Sequence, residues 1–285
     1  MNFLSLLPIV YGLSAAIAWG AGDFAGGLAA RRSNALAAVF HAEWIGLAAI
    51  LGVTLLAGES PLSLRAGLMA FAAGAIGALA LVVLYKAMAE GQMSVAAPIS
   101  ALLAASLPVM VESLLRGLPG LSTQIGFALA LAAVWLIASG EGGRLLPELG
   151  SWRDLRLPFI SGIGFGLYFI LINQAGQEGT LWPLVISRTG GVLALLVYVW
   201  LTRASLRLAR PVWPLAALNA TLDVTANGFY VLASQVGRMD VAAVISSLYP
   251  GLTVLLAWLI LKERIQRLQA LGIALALTAI ALIAL

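Results

Sequence analysis

The chain of 285 residues has no cysteine and a single histidine. Disulfides, thiolate metal sites and cysteine nucleophiles are therefore excluded, as is a multi-histidine metal site. Charge is also scarce. Only 10% of residues are Asp, Glu, Lys or Arg, against about a quarter in a soluble globular domain. Hydrophobic residues make up 62% of the chain instead. They form runs of about 20 residues that recur end to end, as membrane-spanning helices do. Runs of this length disfavour a β-barrel, whose strands alternate over short stretches. The net charge of +4 lies largely in the loops, so it reflects membrane orientation rather than nucleic-acid binding. No basic leader precedes the first apolar run, which reads as a retained helix.

The expected fold class is all-α: a polytopic membrane protein of ten transmembrane helices. The spans are 5–27, 35–57, 66–89, 94–115, 122–139, 157–176, 181–202, 212–234, 240–261 and 267–285. The longest break follows the fifth span and divides the chain into a first five-helix repeat (1–140), a linker (141–156) and a second repeat (157–285). Shifting the sequence by 146 lays "MSVAAPIS" (93–100) on "MDVAAVIS" (239–246) and "GFALALAAVWLIA" (126–138) on "GIALALTAIALIA" (272–284). Seventeen of the 47 positions in 93–139 match 239–285, about twice what shared Ala/Leu composition would give. Gly91 falls on Gly237 and Gly20 on Gly166. Five is odd, so the second copy enters the membrane from the opposite side. An inverted repeat of this kind is associated with alternating access around a central cavity. Loops after odd-numbered spans carry eleven Lys and Arg, and the opposite loops carry Arg65, Arg116 and Arg238. That bias places the odd loops in the cytoplasm and both termini outside.

The stretch "YPGLTVLLAWLILKERIQRLQALGIALALTAIALI" (249–283) combines a helix-starting proline, an apolar run ending in Leu-Lys-Glu-Arg and a final Gly-containing helix. With the ten-span duplication and the opening "WGAGDFAGGLAARRSNALA", it resembles the drug/metabolite transporter superfamily, in its EamA-like branch. The resemblance covers nearly the whole chain. It departs at "LLRGLPGLS" (114–122), where the first repeat lacks the charged motif. The resemblance implies a secondary transporter in the bacterial inner membrane, not an enzyme. It would export small metabolites, amino acids (aromatic ones included) or related amphipathic compounds, with multidrug or organic-cation export as the alternative. It further implies a central cavity lined mainly by spans 1, 3, 4, 6, 8 and 9. No cofactor and no metal are expected. The expected partners are a small-molecule substrate, protons and the lipid bilayer, with no nucleic acid, and the chain is expected to be a monomer.

Polar groups inside the spans need a reason, because hydrocarbon penalises them. Asn219, Asp223, Asn227, Tyr230 and Ser234 recur at spacings of 4, 4, 3 and 4, which places them on one face of span eight. Two readings stand: a cavity wall in which Asp223 meets a cation, an amino group or a proton, or an interhelical hydrogen-bond zipper. Arg188 and Glu43 lie at matched depths in spans seven and two under a shift of 145. They either pair between the halves or face a wet cavity, where Arg188 would attract a substrate carboxylate. In span six, Phe165, Tyr168, Phe169 and Ile172 share a face. Trp19 aligns with Phe165, and Tyr85, Tyr230 and Tyr249 complete the candidate aromatic lining. Pro98, Pro108 and Pro250 mark kinks or gates. Glu112 and Arg116 form a plain helical pair. Trp182, Trp200 and Trp213 sit in the interfacial belt.

Gly20-Ala21-Gly22-Asp23 fits the Gly-x-Gly-Asp of an intramembrane aspartyl protease, with Asp223 as the second acid. The Tyr-Asp partner motif is absent, and a duplication is not expected of such a protease. A phosphate-cradling loop is excluded, because no strand precedes the glycines. Asp23 is then either an interfacial anchor or part of an inner gate. Asp23, Glu43 and Asp223 are the candidates for proton coupling.

Overall fold

The computed structural model describes residues 3–87, 93–139, 152–262 and 265–284. Among these the chain is helical throughout, with no strand. The helices are α1 (Phe3–Arg32), α2 (Ala35–Ala57), α3 (Leu64–Ala87), α4 (Met93–Arg116), α5 (Leu121–Ser139), α6 (Trp152–Gly176), α7 (Leu181–Thr202), α8 (Trp213–Val236), α9 (Met239–Ser246), α10 (Tyr249–Leu261) and α11 (Arg267–Ala284). A 3-10 turn at Arg210–Val212 leads into α8. Six of the helices are long and apolar enough to cross a membrane: α1, α2, α3, α6, α7 and α11. The chain is thus a polytopic helical membrane protein.

The helix bounds follow local chemistry. Asn34 caps α2, accepting the Leu36 amide at 2.9 Å, and Gly58 ends that helix in the left-handed region at φ 66°. The ninth span is not continuous as expected but divides at Ser247–Leu248 into α9 and α10. Pro250 has no N–H to donate to the Ser246 carbonyl, and its ring crowds that group. Pro98 and Pro108 leave α4 unbroken; the Pro98 side chain lies outside the described residues. The α6 helix starts at Trp152, inside the stretch read as linker, and the rest of that linker (to residue 151) is outside the described residues.

Packing pairs elements from the two halves. α1 lies along α8, α3 along α6, α5 along α11, and α2 meets α7. Two sets of glycine contacts are reciprocal, one between α5 and α11, the other relating α2 on α8 to α7 on α3. A Cβ at Gly126 would lie 2.6 Å from Ile283 and 3.1 Å from the Ala279 carbonyl, and one at Gly272 would lie 2.8 Å from Ile137 and 3.0 Å from the Ala133 carbonyl. These six positions exchange in three pairs under the shift of 146, and the order of contacts shows α5 and α11 antiparallel. Likewise Gly46 faces Val224 and the Ala220 carbonyl, while Gly191 faces Ala78 and the Gly74 carbonyl. The tightest crossing is α3 on α7, where a Cβ at Gly74 would sit 1.7 Å from the Ser187 carbonyl oxygen and one at Gly190 2.2 Å from that of Phe71. Only glycine permits backbones this close.

Candidate functional site

The α3–α7 crossing sets the position of Arg188, next to Ser187. Its guanidinium is buried and reaches out of α7 to two carboxylates. Nη1 lies 2.9 Å from Glu43 Oε1 of α2, and Nη2 donates to Asp223 Oδ2 of α8. Asp223 also accepts the Trp19 indole N–H of α1 at 2.9 Å and an Asn227 amide N–H at 3.2 Å. Asn227 Oδ1 in turn accepts the Tyr168 hydroxyl of α6. One connected network therefore ties α1 and α2 to α6, α7 and α8. Burying an arginine in hydrocarbon is tolerable only when it is paired in this way. Of the two arrangements open for Glu43 and Arg188, the structure has the pairing between halves.

An aromatic cluster adjoins the network. Trp19 lies 5.6 Å from Phe169, 6.1 Å from Tyr230 and 6.5 Å from Tyr249, and Phe169 lies 4.7 Å from Tyr230, by ring centroids. The Tyr230 hydroxyl donates to the Phe169 carbonyl at 3.2 Å. Of the expected site residues, then, Trp19, Glu43, Tyr168, Phe169, Arg188, Asp223, Asn227, Tyr230 and Tyr249 come together. Phe165 packs against the same core. Asn219 donates to the Gly22 carbonyl at 2.7 Å, where Gly22 and Gly26 meet α8 as a small-residue face. Ser234 is buried and bonds the Val231 carbonyl of its own helix. The Tyr85 side chain lies outside the described residues. Glu112 and Arg116 pair at 3.3 Å.

The two ends of the bundle differ. At the end where α1 begins, the network continues into a tight seal. Gln235 at the end of α8 donates to the Gly176 carbonyl of α6 and, at 3.2 Å, to that of Gly179. Glu59, after α2, accepts the Thr180, Leu181 and Trp182 amides at 2.8, 2.9 and 2.8 Å and so caps α7. Glu178, after α6, returns the arrangement by accepting the Ser63 amide at 2.8 Å and its hydroxyl at 2.7 Å, at the start of α3. Those two donors hold the Glu178 carboxyl below its ordinary range. Arg238 binds Asp240 and the Gly117 carbonyl at 2.9 Å. At the opposite end, among the described residues, the matching loops share one hydrogen bond, from Asn34 to the Ser205 carbonyl at 3.3 Å, besides His41 on the Leu206 carbonyl at 3.0 Å, and an apolar cluster of Ala29, Ala37, Ala38, Leu208 and Val212. There α1 and α3, which the shift of 146 lays on α6 and α8, have at most slight contact among the described residues. Sequence reasoning missed the sealing residues Glu59, Glu178 and Gln235. Ser63 did carry a local signal, an N-cap hydroxyl that accepts the Ala66 amide.

Residues 155–285, from α6 to α11, match the EamA-like transporter family. The match covers 131 of the 285 residues, nearly all of the second half of the chain. This agrees with the drug/metabolite transporter resemblance, and membrane transport of small solutes is what that family suggests. A protein of known crystal structure, described only as a protein, shares 16% identity and a TM-score of 0.76 over 96% of this chain and 95% of its own. At that identity the likeness shows a common fold and nothing of substrate. No curated protein matches the sequence.

Proposed function

We propose that this protein is a secondary transporter that moves small amphipathic metabolites bearing an amino group, amino acids among them, by alternating access. The observation that carries the reading is the contrast between the two ends of a reciprocal bundle, sealed by Gln235, Glu59 and Glu178 at one end and loosely joined at the other. The exchange of Gly126 with Gly272 and of Gly46 with Gly191 across antiparallel partners supports an inverted repeat of two five-helix units, with α9 and α10 together as one span. The two domains are then 1–140 and 157–285. The loop charge bias supports a cytoplasmic location for the loosely joined end, so the conformation faces inward; export from a bacterial cytoplasm is inferred from the family resemblance.

The charge balance of the site bears on substrate. Arg188 already holds Glu43 and Asp223, which leaves no charge for a substrate carboxylate. The centre carries one net negative charge, and the Trp19, Phe169, Tyr230 and Tyr249 rings stand beside it. That environment favours an amine or ammonium group with an apolar body, and it also favours the second reading, organic-cation export. A charge series on one ring system tests both: tryptamine, tryptophan and indole-3-acetate in proteoliposome counterflow. Saturable exchange of tryptamine or tryptophan but not of the acetate is expected. Preferential movement of indole-3-acetate refutes the assignment.

A further inference from the structure

The shift of 146 that relates the halves lays Asp23 on Phe169 and Gly27 on Asn173. At the sealed end Phe169 is 8% exposed, Asn173 6%, and Tyr230, which clamps Phe169, is fully buried. At the loose end Asp23 and Gly27 are exposed. In a pseudo-symmetric carrier, closing the loose end buries the positions whose counterparts the sealed end already buries. One of those positions is a carboxylate. Asp23 has no hydrogen bond or ion pair among the described residues, so closure takes a bare charge out of water unless something neutralises it.

We propose that Asp23 is the proton site that licenses closure of the cytoplasmic end, the end closing over the protonated carboxyl and staying open over the carboxylate. This rests on the alternating-access reading and adds the coupling ion to it. Among the described residues, no side chain of the elements packed against α1 is bonded to Asp23 in place of the proton. On α8, the group that bears on Asp23 is Asp223, an acid already bonded to Arg188. On α2, Glu43 is paired with Arg188, and His41 bonds the Leu206 carbonyl and Trp44. α9 offers Asp240, bound to Arg238 at the far end. α10 offers Tyr249 against Trp19. α11 offers Arg267 at its start, and α1 itself carries Arg31 and Arg32 at its finish. The closed end holds one more proton than the open end, so lowering cytoplasmic pH favours closure.

The absence of native cysteine makes single-cysteine reporters clean. Gly27→Cys places a thiol where a Cβ meets nothing within 4 Å, one turn beyond Asp23. Ser234→Cys is nearly isosteric, is buried below the outer seal and serves if the first variant misfolds. Labelling by an impermeant thiol reagent is normalised to Ala209→Cys in the exposed loop before α8. Insertion cost for an aspartate at a helix centre corresponds to about a hundredfold shift between states. Asp23→Asn should therefore slow Gly27→Cys labelling from the cytoplasmic side by at least about tenfold and speed Ser234→Cys labelling from outside. Acidifying from about pH 8 to about pH 5 should move the wild type the same way and leave Asp23→Asn unchanged. Equal labelling with and without the Asp23→Asn substitution overturns the proposal, as does closure driven by tryptamine at fixed pH but not by acid. Counterflow in the same vesicles separates the two levels: if trans-stimulated exchange persists while labelling is unaffected, only the role of Asp23 falls. If exchange is absent, the transporter reading falls with it.

Discussion

Removing Arg188 should be far more damaging than removing the whole charged cluster. Arg188 is 6% exposed, and its guanidinium holds Glu43 and Asp223 on separate helices. Arg188→Ala leaves both carboxylates uncompensated, and truncating one partner of a buried pair costs about 3–5 kcal/mol. Asp223 keeps the Trp19 and Asn227 donors, so most of the penalty falls on Glu43 and the lower part of that range is expected. Arg188→Lys should recover about half, because one ammonium cannot donate in two fixed directions as the guanidinium fork does. The triple variant Glu43→Gln, Arg188→Met, Asp223→Asn removes charge and demand together. It should unfold within about 1 kcal/mol of the wild type yet not transport. Unfolding by sodium dodecyl sulfate in mixed micelles, read by tryptophan fluorescence, measures the stabilities, and proteoliposome counterflow measures activity. A triple variant as unstable as Arg188→Ala would refute the reasoning, since the cost would then lie in packing.

Gly74→Ala and Gly190→Ala drive a methyl into the Ser187 and Phe71 carbonyls and should cost at least about 1–3 kcal/mol. Gly52→Ala meets nothing within 4 Å and should gain up to about 1 kcal/mol; the same unfolding assay ranks all three. Glu59→Gln weakens the charge-assisted cap of α7 and should speed hydrogen exchange at the Leu181 and Trp182 amides about tenfold, from about 1.4 kcal/mol. Glu178 is held below its ordinary value of 4.5, so its contribution is complete above 4.5 and fades as pH falls through the lowered folded value. Ser63→Ala should bring the titration of Glu178, followed by carboxyl NMR, back up toward the ordinary range.

Much of this was legible in the sequence because helices carry their own period. The spacing of Asn219, Asp223, Asn227, Tyr230 and Ser234 placed a polar face inside α8, and matched positions brought Glu43 opposite Arg188. The ends of α2 follow apolar length and the local caps Asn34 and Gly58, and those of α7 follow apolar length. The sealing contacts were hidden for a different reason: Glu59 and the start of α7 are 121 residues apart, and nothing local in "GES" marks a carboxylate as a cap for another helix. The bond from Trp19 to Asp223, 204 residues away, was hidden likewise, although both residues had been singled out. The division of span nine at Ser247–Leu248 had a local cause in Pro250. Pro98 and Pro108 share that chemistry without the break, so proline alone did not decide it.

Trans-stimulation is the most direct test of the central claim. Vesicles containing the purified protein are loaded with unlabelled tryptamine and given labelled tryptamine outside. Alternating access predicts uptake that saturates and rises with internal loading. Uptake that is linear in concentration and indifferent to loading would contradict it.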